Sequence, residues 1–155
     1  MGRTIAWATL VAGTLDILFA AILSLVRGRE PADMLRSVAS GPLPGATDWD
    51  ATGAWLGLLT HFTLMAIMAA VFVFAARSRP ALTEKPILWG VIYGLITYVV
   101  MNLIVLPLRF GAPLPPEPRA IATQLFAHIA LVGIPIALIA ARRLHASPIR
   151  GRVSA

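Results

Sequence analysis

An all-α fold, an up-down bundle of four transmembrane helices with a short interfacial helix between the first and second, is predicted by three observations. The 155 residues are 58% hydrophobic and 13% charged, with a mean hydropathy of +0.81, far from the average of a water-soluble domain. Four apolar runs, 4–26, 53–76, 87–108 and 120–141, each reach the length of about 20 residues that a helix needs to cross hydrocarbon. The basic residues stand at the ends of these runs rather than inside them. The chain therefore reads as one membrane domain, with the net charge of +6 serving orientation and no nucleic-acid surface implied. Cysteine is absent, which excludes disulfides, thiolate metal sites and cysteine nucleophiles together.

The first run, 4–26, is too long for the apolar part of a signal peptide and carries Asp16 inside it, so it is expected to remain as a helix. Thr9, Gly13, Asp16, Ala20 and Ser24 recur at three- and four-residue spacing and place small and polar groups on one face. That face should touch protein. The connector 27–52 is long for a bare loop, and within it 31–40 reads as a short helix lying on the membrane surface. Pro31 suits its first turn, Met34, Leu35 and Val38 form its apolar stripe, and Gly41-Pro42 stops it. Asp48 and Asp50 offer N-caps for the second membrane helix.

The second run, 53–76, contains His61 and is closed by Arg77 and Arg79. A short turn around Pro80 and Pro86 leads to the third, 87–108, where Gly90, Gly94, Tyr98 and Asn102 repeat every fourth residue on one face. Pro107 and a proline-rich loop should end it. The fourth run, 120–141, carries Gln124, His128 and a Pro135 expected to kink it, before a polar tail, 142–155, in which His145 is a solvated residue.

Four crossings leave both termini on one side, which holds eight of the thirteen Lys and Arg residues against five on the other. Counting basic residues alone favours that side as the cytoplasm of a bacterial inner membrane. Trp7 and Trp89 then fall towards the inner interface, and Trp49 and Trp55 towards the outer one.

Up-down topology sets His61 and His128 about 12 Å below the outer ends of their helices, Asp16 about 15 Å and Asn102 about 9 Å. One layer thus holds two imidazoles, a carboxylate and an amide, with Tyr98 and Gln124 as their nearest polar neighbours. A carboxylate in hydrocarbon costs at least about 2.5 kcal/mol, which favours burial between helices beside a donor. The cluster admits several readings. Its members can hydrogen-bond to one another and hold a structural or accessory bundle together. Asp16 with His61 or His128 can serve a proton- or ion-responsive site in a small transporter. Asp16, His61 and His128 can ligate a metal, or the two histidines a b-type haem.

No spacing motif supports a metal or haem, so no cofactor is expected. Phosphate-binding glycine loops, GxSxG and HExxH are all missing from the sequence, and a non-enzyme is predicted. The segments around His61 and His128, LLTHFTL and LFAHIAL, align without gaps and suggest a duplicated hairpin. Small-residue faces in so small a bundle are compatible with a homodimer or a larger membrane complex, with lipid as the obligatory partner.

From His61-Phe62 through Tyr93-Gly94, Met101-Asn102, Leu106-Pro107-Leu108 and His128 to Arg142-Arg143, the pattern resembles the uncharacterised YagU-like bacterial inner-membrane proteins. The resemblance covers the last two thirds of the chain. It implies a multi-helix inner-membrane protein and assigns no catalytic residue.

Overall fold

The computed structural model describes residues 1–145 and is all-α, with no strand among them. Five principal helices follow in order: α1 (Gly2–Val26), α2 (Pro31–Ala39), α3 (Ala51–Ser78), α4 (Pro86–Phe110) and α5 (Pro118–His145). All but α2 are long and apolar enough to cross a membrane. Three differences from the sequence reading concern ends. Asp50 is the cap chosen from the acidic pair, its carboxylate accepting the Thr52 N–H at 3.0 Å, so α3 starts at Ala51. The third helix runs through Pro107 to Phe110, and the fourth continues to an exposed His145, leaving only 146–155 of the expected tail outside the described residues.

Pro107 fails to end α4 because the turns before it are wider. Residues Val99–Val105 of α4 and Ala127–Gly133 of α5 wind as π-helix, and each segment stops two residues short of a proline, Pro107 and Pro135. Proline offers no N–H and crowds the carbonyl four residues back. Widening the preceding turn relieves that crowding without breaking the helix.

The buried face of α3 explains how the bundle is assembled. Gly53, Gly57, His61, Met65, Ala69 and Val73 are buried at strict four-residue spacing. Four residues advance a helix by one turn and about 40°, so such a stripe winds around the axis and meets a different neighbour at each level. Gly57 lies against the Leu35 backbone of α2, which leaves no space for a Cβ. His61 reaches α1 at Gly13, and lower down Phe72 packs edge-on to Tyr93 of α4, with centroids 5.1 Å apart.

Helix α1 packs on α3 and on α5, and α4 packs on α5 mainly through Pro86–Tyr98. The α4–α5 seam is close at the backbone. A Cβ on Gly133 would strike the Gly90 carbonyl and lie 2.7 Å from the Gly94 nitrogen, while one on Gly94 would lie 2.6 Å from Ile129 Cα. No such seam joins α3 to α4. Towards the end that holds Met1 they are tied by Tyr93, whose hydroxyl donates to the Met68 carbonyl at 2.7 Å, and towards α2 they diverge. The resulting gap is roofed by α2.

Met1, Arg77 and Arg143 meet at one end of the bundle, as an even number of crossings requires. Arg77 Nη1 donates to Met1 Sδ at 3.0 Å, and the Arg143 guanidinium lies 5.2 Å over the Trp7 ring.

Candidate functional site

The four polar residues singled out in the sequence are brought together two by two. His61, 7% exposed, places Nε2 at 2.9 Å from the Gly13 carbonyl of α1. A carbonyl oxygen only accepts, so Nε2 must carry the proton. The other ring nitrogen, Nδ1, then faces Asp16 Oδ2 at 3.9 Å. With a neutral imidazole that nitrogen bears a lone pair, and an ionised Asp16 would set a carboxylate against it. One added proton, on either partner, turns this repulsion into attraction. Among the described residues no other charged side chain is paired with either partner.

Small residues make this approach available. Ala8, Ala12 and Gly13 give α1 a nearly flat buried face, and a Cβ on Gly13 would lie 2.7 Å from the Phe62 ring. Phe62 in turn stands edge-on to the His61 imidazole, at 5.3 Å between centroids. Thr9, one turn before Gly13, is buried with no partner for its hydroxyl.

The second pair joins α4 to α5. Asn102 Nδ2 and His128 Nε2 are 3.2 Å apart, which makes the amide the donor and leaves the His128 proton on Nδ1. That nitrogen is buried and has no hydrogen-bond partner. An unsatisfied buried donor costs about 1–3 kcal/mol, so the rest of the seam must offset it. Tyr98 lies edge-on to His128 at 6.1 Å between centroids, as its expected place beside the cluster requires.

Both members of this pair sit in the two π-helical segments, 99–105 and 127–133. The wider turns carry Asn102 and His128 to facing positions across the glycine seam. Sequence periodicity at 3.6 residues per turn could not show this, although the spacing of Asn102 and His128 ahead of Pro107 and Pro135 is a legible clue.

Two expectations are corrected. Gln124 is exposed on the outer face of α5 and makes no side-chain hydrogen bond, because it precedes the π-helical segment that turns His128 inward. The proposed ligand set of Asp16, His61 and His128 does not assemble: among the described residues no three His, Cys, Asp or Glu side chains gather to hold a metal ion. No hydrogen bond or ion pair among these residues links the Asp16–His61 pair to the Asn102–His128 pair. A single four-membered polar site is thus resolved into two interhelical contacts.

No protein-family model, curated protein or solved structure matches the chain.

Proposed function

We propose that this chain is an integral protein of a bacterial inner membrane, with both termini in the cytoplasm, no enzymatic activity and a structural or accessory role. The observation that carries this reading is the division of polar groups into two pairs, each spent on joining one helix to another. His61 anchors α3 to the α1 backbone, and His128 anchors α5 to Asn102 of α4. Interhelical hydrogen bonds of this kind are worth roughly 0.6–2 kcal/mol in membranes and fix helix register. The excess of basic residues at the end shared by both termini supports the orientation, and the YagU-like sequence pattern accords with the location. A homodimer or larger membrane complex is the assembly in which such an accessory module would act.

The Asp16–His61 contact favours a second reading, a small proton-responsive transporter, because it sets an imidazole 3.9 Å from a carboxylate and Asp16 retains 22% side-chain exposure. Two measurements separate the readings. In detergent, Asp16→Asn and His61→Ala should lower the thermal unfolding midpoint, with no absorption band or bound metal in the purified protein. In vesicles carrying a pH-sensitive dye, proton flux that is abolished by Asp16→Asn would replace the structural reading with the transporter. Reporter fusions at each end test the orientation.

A further inference from the structure

The divergence of α3 from α4 leaves an apolar cavity of about 990 Å³ in the outer half of the bundle. Leu56, Leu59 and Thr63 of α3 form one wall, Met101 and Val105 of α4 the other, and Met34 of α2 belongs to the roof. Leu59 is 63% exposed, so the cavity opens on the outer flank of the bundle, where hydrocarbon lies in a membrane. If a methylene takes about the volume of a water molecule, about 30 Å³, there is space for roughly thirty of them. That corresponds to about fifteen carbons of each of two acyl chains.

The only formally charged residue in the lining is Arg109, at the outer end of α4. Its Nε and Nη2 donate at 2.7 Å to the carbonyls of Gly41 and Ser40, which ties α4 to the end of α2. Two of five N–H groups are used in this way; the guanidinium also lies 5.1 Å over the Phe110 ring, and its remaining three N–H groups make no hydrogen bond to the residues described. Among the described residues no carboxylate pairs with Arg109, whose positive charge stands at the mouth of an apolar cavity. A span of 25 residues is about 37 Å long and exceeds the hydrocarbon thickness of about 30 Å, so Arg109, the residue before its last, reaches the headgroup layer.

We infer that this groove binds a membrane phospholipid, its acyl chains between α3 and α4 beneath α2 and its phosphate on the Arg109 guanidinium. The two requirements of an amphiphile are met in one groove: greasy walls and, at the end of α4, a cation. A guanidinium preset by two backbone carbonyls loses little side-chain freedom when it meets a phosphate oxygen. The site is independent of the polar pairs, none of whose members lines it.

Titration of the detergent-purified protein with dioleoyl phosphatidylglycerol or dioleoylglycerol, followed by native mass spectrometry, tests both halves of the site. Wild type is expected to bind one phosphatidylglycerol about tenfold or more tightly than the uncharged diacylglycerol. Arg109→Gln should remove that difference, Thr63→Trp should weaken both ligands at least tenfold by filling the groove, and Leu18→Trp, on the outer face of α1, should change neither by more than about twofold. Equal affinity of wild type for the two ligands, or unaltered binding by a folded Thr63→Trp, overturns the assignment.

A diazirine-acyl phosphatidylglycerol on the wild-type chain gives a second readout that requires no variant to fold. Labels concentrated on residues 56–63 and 101–105 are expected. Labels spread evenly over exposed Leu15, Leu18 and Ile22 of α1, or a disulfide joining two Leu59→Cys chains across this flank, would assign the groove to bulk lipid or to a second copy instead.

Discussion

The two flanks of α4 are built in opposite ways. Against α5 it presents Gly90 and Gly94, and the helices meet backbone to backbone at Gly133. Against α3 it presents Tyr93 towards the end that holds Met1 and an apolar cavity towards α2. Lipid chains are as apolar as leucine, so burying apolar side chains gives no hydrophobic gain over facing the membrane. Only close packing and polar contacts distinguish one flank from the other. The α4–α5 flank has both, and the α3–α4 flank gives up packing over half its length.

The largest expected effect lies at the tight flank. Gly133→Val forces a side chain into the α4 backbone and should destabilise by about 3 kcal/mol or more, read as the thermal unfolding midpoint in detergent. A midpoint unchanged within error would show that the seam has slack. Gly57→Val comes next, at roughly 1–3 kcal/mol, because α2 can lift from α3 to make space. Its particular signature is faster proteolysis in the connector, 27–52.

Tyr93→Phe keeps the ring against Phe72 but deletes the hydroxyl bond to Met68, at a cost of about 1 kcal/mol. It therefore measures how much the closed inner end of the open flank depends on one hydrogen bond. At the tight flank, Asn102→Leu should cost about 1–3 kcal/mol by leaving His128 Nε2 unpaired, whereas Asn102→Leu with His128→Leu should recover most of that loss. A double variant no better than the single one would mean that His128 has a role beyond pairing.

The smallest effect belongs to Asp50. The Thr52 N–H that it accepts holds its carboxyl below the ordinary range, so its contribution is present above the unfolded carboxylate pKa and fades as pH falls through the lowered one. Asp50→Asn should accordingly flatten the acid limb of a stability-versus-pH curve and leave the neutral region nearly unchanged. This side chain is fully exposed, so the effect should be slight.

The four long helices and the surface helix were legible in the sequence because lipid sets a length and a charge rule that any spanning segment must obey. Pro31 and the Met34, Leu35, Val38 stripe likewise located α2 before its packing on Gly57 was known. Which helix each polar side chain meets was not legible. Counting residues from a helix end gives a level in the membrane, but His61 and Asn102 at one level can face different helices. Gln124 shows the same limit: a uniform turn predicts it near His128, but only His128 lies in the π-helical segment, and Gln124 is left exposed. Nothing in the apolar pattern reports the α3–α4 divergence, because Leu59 facing a cavity and Leu59 facing lipid are the same letter in the same context.

The glycine seam also limits how this chain can vary. The atoms opposing a new Cβ at residue 133 belong to the peptide backbone of two residues that already lack side chains, Gly90 and Gly94. No second-site suppressor can trim what is not there. An enlargement at 133 is tolerated only if a whole helix moves, so this position should be closed to gradual drift while the greasy residues around the cavity are free to exchange.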